Sequence, residues 1–145
     1  MQTFLPYPDF QQSAACLDYR RLGKQRLEAF QLLRVLREPE RRGWSRHPAA
    51  LMWSGYEDGL GLYMNTIITE WVRRGFRNSM ELARIPEQPP MPWWLGAPEF
   101  HAAHRSNLLR KDPAFYGRYG WSEPPDLPYV WPVSAKSAER RAPTA

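Results

Sequence analysis

The stretch Ser13–Leu36, SAACLDYRRLGKQRLEAFQLLRVL, constrains this chain more than any other. At about 100° per residue it reads as one long helix with two incompatible faces. Leu22, Ala29, Phe30, Leu33 and Leu36 gather on one side, which packing against a core explains. Arg20, Arg21, Lys24, Glu28 and Gln31 fall on the other, with the small Gly23 among them. A face of this kind is commonly no more than solvated. Three cations and a carboxylate so close together also suit a polyanion, and the rest of the chain favours that second reading.

A second helical pattern starts at His47-Pro48, with proline suited to a first turn. Met52, Tyr56, Leu60, Tyr63, Ile67 and Trp71 follow at intervals of three and four, an unbroken apolar stripe. Gly55, Gly59 and Gly61 weaken such a helix, and their clustering implies that another backbone passes close by. Arg73 and Arg74 complement the dipole at its end, and Gly75 stops it. Residues 98–111 form a third pattern, with Pro98 and Glu99 in the first turn, Arg110 and Lys111 in the last, and Asp112-Pro113 beyond.

The connections are extended. Pro6 and Pro8 disfavour helix in the opening MQTFLPYPDF, where Thr3, Phe4 and Leu5 can pin an arm onto the body. Asp9 or Ser13 can cap the first helix. Glu38–Arg46 reads as a polar loop, and Arg77–Pro98 as a proline-rich drape over the helices with a short helical turn near Ser79–Arg84. The expectation is an all-α fold: a compact three-helix domain with an extended N-terminal arm and long Pro- and aromatic-rich connections. Residues 1–133 make one domain, and 134–145 a disordered tail.

Composition narrows the chemistry. The single Cys16 excludes an internal disulfide and a cysteine metal cluster, and no apolar run approaches the length of a bilayer span. Without a signal-peptide pattern at the N-terminus, the expectation is a soluble, cytoplasmic protein. A net charge of +5 makes a polyanionic partner plausible. The cations are mostly Arg, which grips phosphate in planar, bidentate fashion. No serine-hydrolase elbow, P-loop or dinucleotide fingerprint is present. His101 and His104 have a spacing that suits a metal, but no clear third ligand accompanies them, so no metal and no cofactor are expected. What remains is a basic surface interleaved with Trp93, Trp94, Phe115, Tyr116, Tyr119 and Trp121. Cations along a track with flat rings between them are how DNA-bending and base-flipping proteins are built.

Several motifs, in order along the chain, then carry a resemblance. Tyr19-Arg20-x-Leu22 lies in the first helix. His47-Pro48, Gly55, Tyr63, Glu70 and Arg74-Gly75-Phe76 mark the second. His101, Ser106, Leu109 and Pro113-x-x-Tyr116-x-x-Tyr119-Gly120 mark the third and its aromatic end. Over roughly Thr3–Trp121 the chain resembles the pyrimidine-dimer DNA glycosylases typified by the bacteriophage endonuclease V. The resemblance implies an all-helical fold with an arm threaded between helices. It also implies a DNA-repair enzyme in which an α-amine attacks the deoxyribose C1′ of a damaged nucleotide, forms a Schiff base and nicks the strand by β-elimination.

Carried onto this sequence, the amine falls to Met1, to Thr3 if processing exposes it, or to one of Lys24 and Lys111, of which Lys24 lies on the charged helix face. An α-amine has a lower reference pKa than Lys, so more of it is neutral and nucleophilic at pH 7. Gln2 is too large for efficient removal of the initiator, which leaves Met1 in place. Where the family has Glu directly after Tyr-Arg, this chain has Arg21, and the proton-handling carboxylate falls to Glu28. Arg20, Arg21, His47, Arg73, Arg74, His101, Arg105, Tyr116 and Tyr119 are the expected DNA contacts. The expected partner is damaged or modified double-stranded DNA, bound by a monomer. The alternative is a protein of the same fold that binds DNA or hydrolyses a glycosidic bond without Schiff-base chemistry.

Overall fold

The computed structural model describes residues 2–38 and 47–133, which form six α-helices and no strand among the described residues. They are α1 (Phe10–Cys16), α2 (Tyr19–Arg37), α3 (Pro48–Trp53), α4 (Glu57–Arg73), α5 (Pro98–Lys111) and α6 (Pro113–Tyr116), the last continued by a 3-10 turn, Gly117–Tyr119. Met1, most of the expected 38–46 loop and the expected 134–145 tail lie outside the described residues.

Both long sequence patterns are interrupted. The first breaks at Leu17, where Asp18 turns extended and its carboxylate accepts the Arg21 N–H to start α2. Asp9 caps α1 through the Gln12 N–H. The second breaks at Ser54–Tyr56, where Gly55 adopts a φ of +86°, a left-handed conformation that glycine takes freely. The apolar stripe runs on across that break because both pieces face the same core, so periodicity alone did not reveal it. Residues 98–111 form α5 as the sequence predicts. No helical turn forms at Ser79–Arg84. There the Asn65 amide clasps Ala83, donating to its carbonyl and accepting its N–H, each at 2.8 Å.

Helices α2 and α4 run antiparallel. Gly23 faces the Trp71 ring at one end of the crossing, and Leu33 approaches Gly61 at the other. Leu22, Ala29, Leu32, Leu60, Tyr63 and Ile67 are fully buried in the core with Trp53, Trp94 and Phe100. Phe30, expected on the apolar face, is instead 41% exposed. The segment after α4 returns across Gly59 and Gly61, bringing the Pro90 carbonyl and the Ala83 and Ile85 side chains against them. The glycines therefore mark a close chain crossing. No helix among the described residues is long and apolar enough to cross a membrane.

The arm threads through this body as an extended strand-like segment. Buried backbone polar groups need partners, and α2, α4 and α5 supply them, while α3 binds a side chain of the arm. Gln25 of α2 accepts the Phe4 N–H at 3.0 Å, and Tyr63 of α4 donates to the Phe4 carbonyl at 2.8 Å. Trp53 of α3 donates to the Thr3 hydroxyl at 3.1 Å. On α5, His104 Nδ1 accepts the Leu5 N–H at 2.8 Å, while His101 Nδ1 donates to the Leu5 carbonyl at 2.7 Å. His101 Nε2 accepts the Gly96 N–H, so its proton sits on Nδ1. Two neutral histidines in opposite tautomers thus hold both polar groups of one arm residue.

Candidate active site

Extended backbone points successive side chains to opposite sides, and in the arm this sorts residues between the core interior and the cleft. Thr3 and Leu5 do not reach the cleft, whereas Gln2 and Phe4, the latter also buried, line an open cleft of about 1090 Å³. The charged face of α2 makes its floor: Arg20, Arg21, Lys24 and Glu28 all line it. Gln25, one turn before Glu28 towards the core, is 1% exposed and joins floor to arm. Its Nε2 donates to the Glu28 carboxylate at 2.8 Å and to the Gln2 carbonyl at 2.9 Å. A carboxylate and the last described residue of the arm are therefore held by the same nitrogen. Met1 lies outside the described residues.

A second carboxylate shares the cleft. Asp18, which a uniform helix wheel puts on another side, caps α2 and lines the same cavity. The Tyr116 hydroxyl donates to it, and Arg21 pairs with it at 3.0 Å. Burial alone would raise its pKa; the Tyr116 and Arg21 hydrogen bonds outweigh that and hold it below the usual carboxylate value. Arg21, at the position where the resemblance puts a carboxylate, is thus neutralised by its neighbour. His47 reaches the cleft from the start of α3, where Nδ1 accepts the Ala49 N–H and burial lowers its pKa.

Other expected site residues lie elsewhere. Thr3, 1% exposed, has its hydroxyl on Trp53 in the core and does not line the cleft. His101, 2% exposed, holds Leu5 and Gly96 and presents no surface to DNA. Tyr116 is fully buried, its pKa raised by burial and by Asp18. Tyr119 donates to the Cys16 carbonyl at 2.9 Å and stacks on Trp121. Arg73 and Arg74 both bind Glu70 at 2.7 Å, and Arg74 also closes the end of α1 through the Ala14 and Ala15 carbonyls. Arg105 pairs with Glu123 at 2.8 Å and donates to the Pro6 carbonyl. These arginines hold elements together; of them Arg73 keeps a largely exposed side chain. Among the described residues no group of three or more His, Cys, Asp or Glu is placed to hold a metal ion.

A family model described as pyrimidine dimer DNA glycosylase matches residues 1–84. The chain belongs to that family. Its reaction class is accordingly that of a DNA glycosylase, with DNA as substrate. No curated protein and no solved structure gives a significant match. The matched segment of this glycosylase carries the arm and α1–α4, with Arg20, Arg21, Lys24, Gln25, Glu28 and His47. Lys111, Tyr129 and Trp131, which also line the cleft, lie beyond it.

Sequence reasoning singled out neither Gln25 nor Tyr129 and Trp131 as site residues. Gln25 falls between the two helix faces, and only threading the arm past it gives its amide a role. Tyr129 and Trp131 lie more than 90 residues from α2 in sequence, in a stretch with no helical period, and tertiary folding alone brings them to the site.

Proposed function

We propose that this glycosylase excises pyrimidine dimers through an amine nucleophile and retains the lyase step. The observation that carries this reading is the Gln25 bridge, which ties the arm's leading end to Glu28. The amine at the end of the arm, or that of Lys24 on the same floor, attacks C1′ of the damaged nucleotide. A nitrogen–carbon bond forms as the glycosidic bond breaks, and the departing base takes its electron pair and a proton. Glu28 handles the protons and stabilises the opened sugar as it becomes an imine. Loss of a C2′ proton then expels the 3′ phosphate, and water releases the enzyme. Arg20 and Lys111 hold flanking phosphates, where Arg forms bidentate contacts. The reading takes residues 1–133 as one domain acting as a monomer in the cytoplasm.

The test is borohydride reduction during reaction with duplex DNA carrying a thymine dimer, followed by mapping of the cross-linked peptide. The expected result is a covalent adduct on the N-terminal peptide or on Lys24. General acid–base groups contribute about 10²–10⁴-fold, so Glu28→Gln slows adduct formation by at least about 100-fold without unfolding the protein. Base release with no adduct would instead establish a hydrolytic glycosylase of the same fold, a reading that Arg21 at the carboxylate position favours.

A further inference from the structure

Gly75 follows α4 with a φ of +93°, a left-handed turn that folds Phe76 back over the helix it has just left. The Phe76 ring lands on Trp71, with centroids 4.2 Å apart and 24° between planes. Tyr19, at the start of α2, stacks on the same Phe76 ring at 6.1 Å and 23°. Three near-parallel rings thus form one pile. Its inner end is closed: Arg26 sits over Trp71 at 4.4 Å, and its guanidinium donates to Asn78 at 2.7 Å. Trp71 is fixed as well, donating through Nε1 to the Arg77 carbonyl at 2.8 Å. It lies so near α2 that a Cβ on Gly23 would come within 3.0 Å of its ring. The outer end is open. Arg20 donates to the Tyr19 hydroxyl at 3.1 Å with its guanidinium carbon 5.7 Å from the ring centre, which puts it at the hydroxyl edge. Tyr19 stays 52% exposed and Phe76 38%.

A rigid pile of rings with one end open has a place for another flat π system, and stacking there removes apolar area from water. The charges beside it select which kind. Arg20 and Arg77, each the next residue after an exposed ring, are both exposed, which suits a flat group carried on an anionic backbone. A duplex hides its base faces inside its own stack, so only an unpaired nucleotide can offer one. Tyr19 and Arg20 also line the cleft, whereas Phe76 and Trp71 do not, so the pile begins at the cleft rim and leads away from it. We infer that Tyr19 and Phe76 form a stacking site for a base of unpaired DNA, giving the protein an affinity for single strands beside its duplex substrate. The inference rests on DNA as the substrate and is independent of the amine mechanism.

The experiment measures binding of a fluorescein-labelled oligothymidylate by anisotropy at low salt, beside a blunt undamaged duplex of equal length. One base–aromatic contact is worth about tenfold in affinity. Tyr19→Leu, which keeps apolar bulk without the flat ring, is expected to weaken the single strand by about that factor and leave the duplex unchanged. Tyr19→Phe retains the single-strand affinity, and melting curves of both variants verify folding. Ultraviolet cross-linking of the wild type to an oligothymidylate carrying 5-iododeoxyuridine is expected to mark Tyr19 or Phe76. Absence of single-strand binding, no loss or an equal loss on both DNAs in Tyr19→Leu, or cross-links confined to other residues overturns the inference. None of these readouts needs base excision. Failure of borohydride trapping on the thymine-dimer duplex therefore rejects the amine mechanism and leaves the stacking site standing.

Discussion

Gln25 donates from one nitrogen to Glu28 at 2.8 Å and to the backbone of the threaded arm at 2.9 Å. Its carbonyl oxygen accepts the Phe4 N–H at 3.0 Å and the Tyr63 hydroxyl at 2.6 Å. An amide side chain has two donors and two lone pairs, and here all four are used. The residue sets how deeply the arm sits and which way Glu28 points.

Gln25→Ala therefore strands the Phe4 N–H in the core and frees both the arm and Glu28. Each buried polar group left unsatisfied costs about 1–3 kcal/mol, so the expected loss of stability is about 3 kcal/mol by urea denaturation. Misplacing a reacting group by about 1 Å costs about 100-fold, and the trapping rate is expected to fall at least that far. A variant that unfolds earlier yet traps at the wild-type rate would dissociate Gln25 from the chemistry.

His104 makes stability depend on pH. It is 3% exposed and its Nδ1 must stay unprotonated to accept the Leu5 N–H; burial pushes its pKa from 6.5 down to about 3. Between those values the unfolded chain binds a proton that the folded chain refuses, so stability falls as pH drops below 6.5 and is regained as it rises. One pH unit of this linkage is about 1.4 kcal/mol. Unfolding at pH 5 is expected to need about 2 kcal/mol less than at pH 7. His104→Gln, which accepts a hydrogen bond without titrating, flattens that slope. An unchanged slope in the variant would assign the acid loss to other groups.

The charged floor was legible because Arg20, Arg21, Lys24 and Glu28 recur at helical intervals, and local periodicity survives folding. The arm was legible from Pro6 and Pro8. The helix breaks were not, since Asp18 and Gly55 interrupt the backbone while the apolar register on either side continues. His101 illustrates the opposite error. A histidine near cations reads as a surface ligand, but burial against Leu5 and Gly96 makes it a clamp for the arm. Asp18, Gln25, Tyr129 and Trp131 acquire their places through contacts across the fold, which no spacing encodes.

Gly59 and Gly61 sit two positions apart near the start of α4, on different sides of the helix, and are expected to respond oppositely to alanine. A Cβ on Gly59 would lie 3.4 Å from the Pro90 carbonyl oxygen, an ordinary contact, so the helix propensity of alanine, up to about 1 kcal/mol, is gained. On Gly61 it would lie 2.7 Å from Ile85 Cδ1 and 3.2 Å from Ala83 Cβ. The Ile85 methyl can swing away, but Ala83 is held by both Asn65 hydrogen bonds. Overpacking costs about 1–3 kcal/mol, which leaves Gly61→Ala less stable by about 1 kcal/mol. Thermal melts of the two variants test the pair, and a stabilised Gly61→Ala would mean that the 83–85 segment yields.

Arg20 and Lys111 approach the cleft from different helices and are expected to act as phosphate contacts. Neutralising one phosphate releases its condensed counterions, so removing one contact lowers the slope of log K against log[salt] by about one. Arg20→Ala and Lys111→Ala should each do this, with similar weakening on damaged and undamaged duplexes. Arg105→Ala is the contrast. Its guanidinium is spent on Glu123 and the Pro6 carbonyl, so it should lower the melting temperature and leave the salt slope unchanged. Titrations at four or five salt concentrations separate these outcomes. Equal slopes for all three variants and the wild type would place the DNA backbone on another face of the protein.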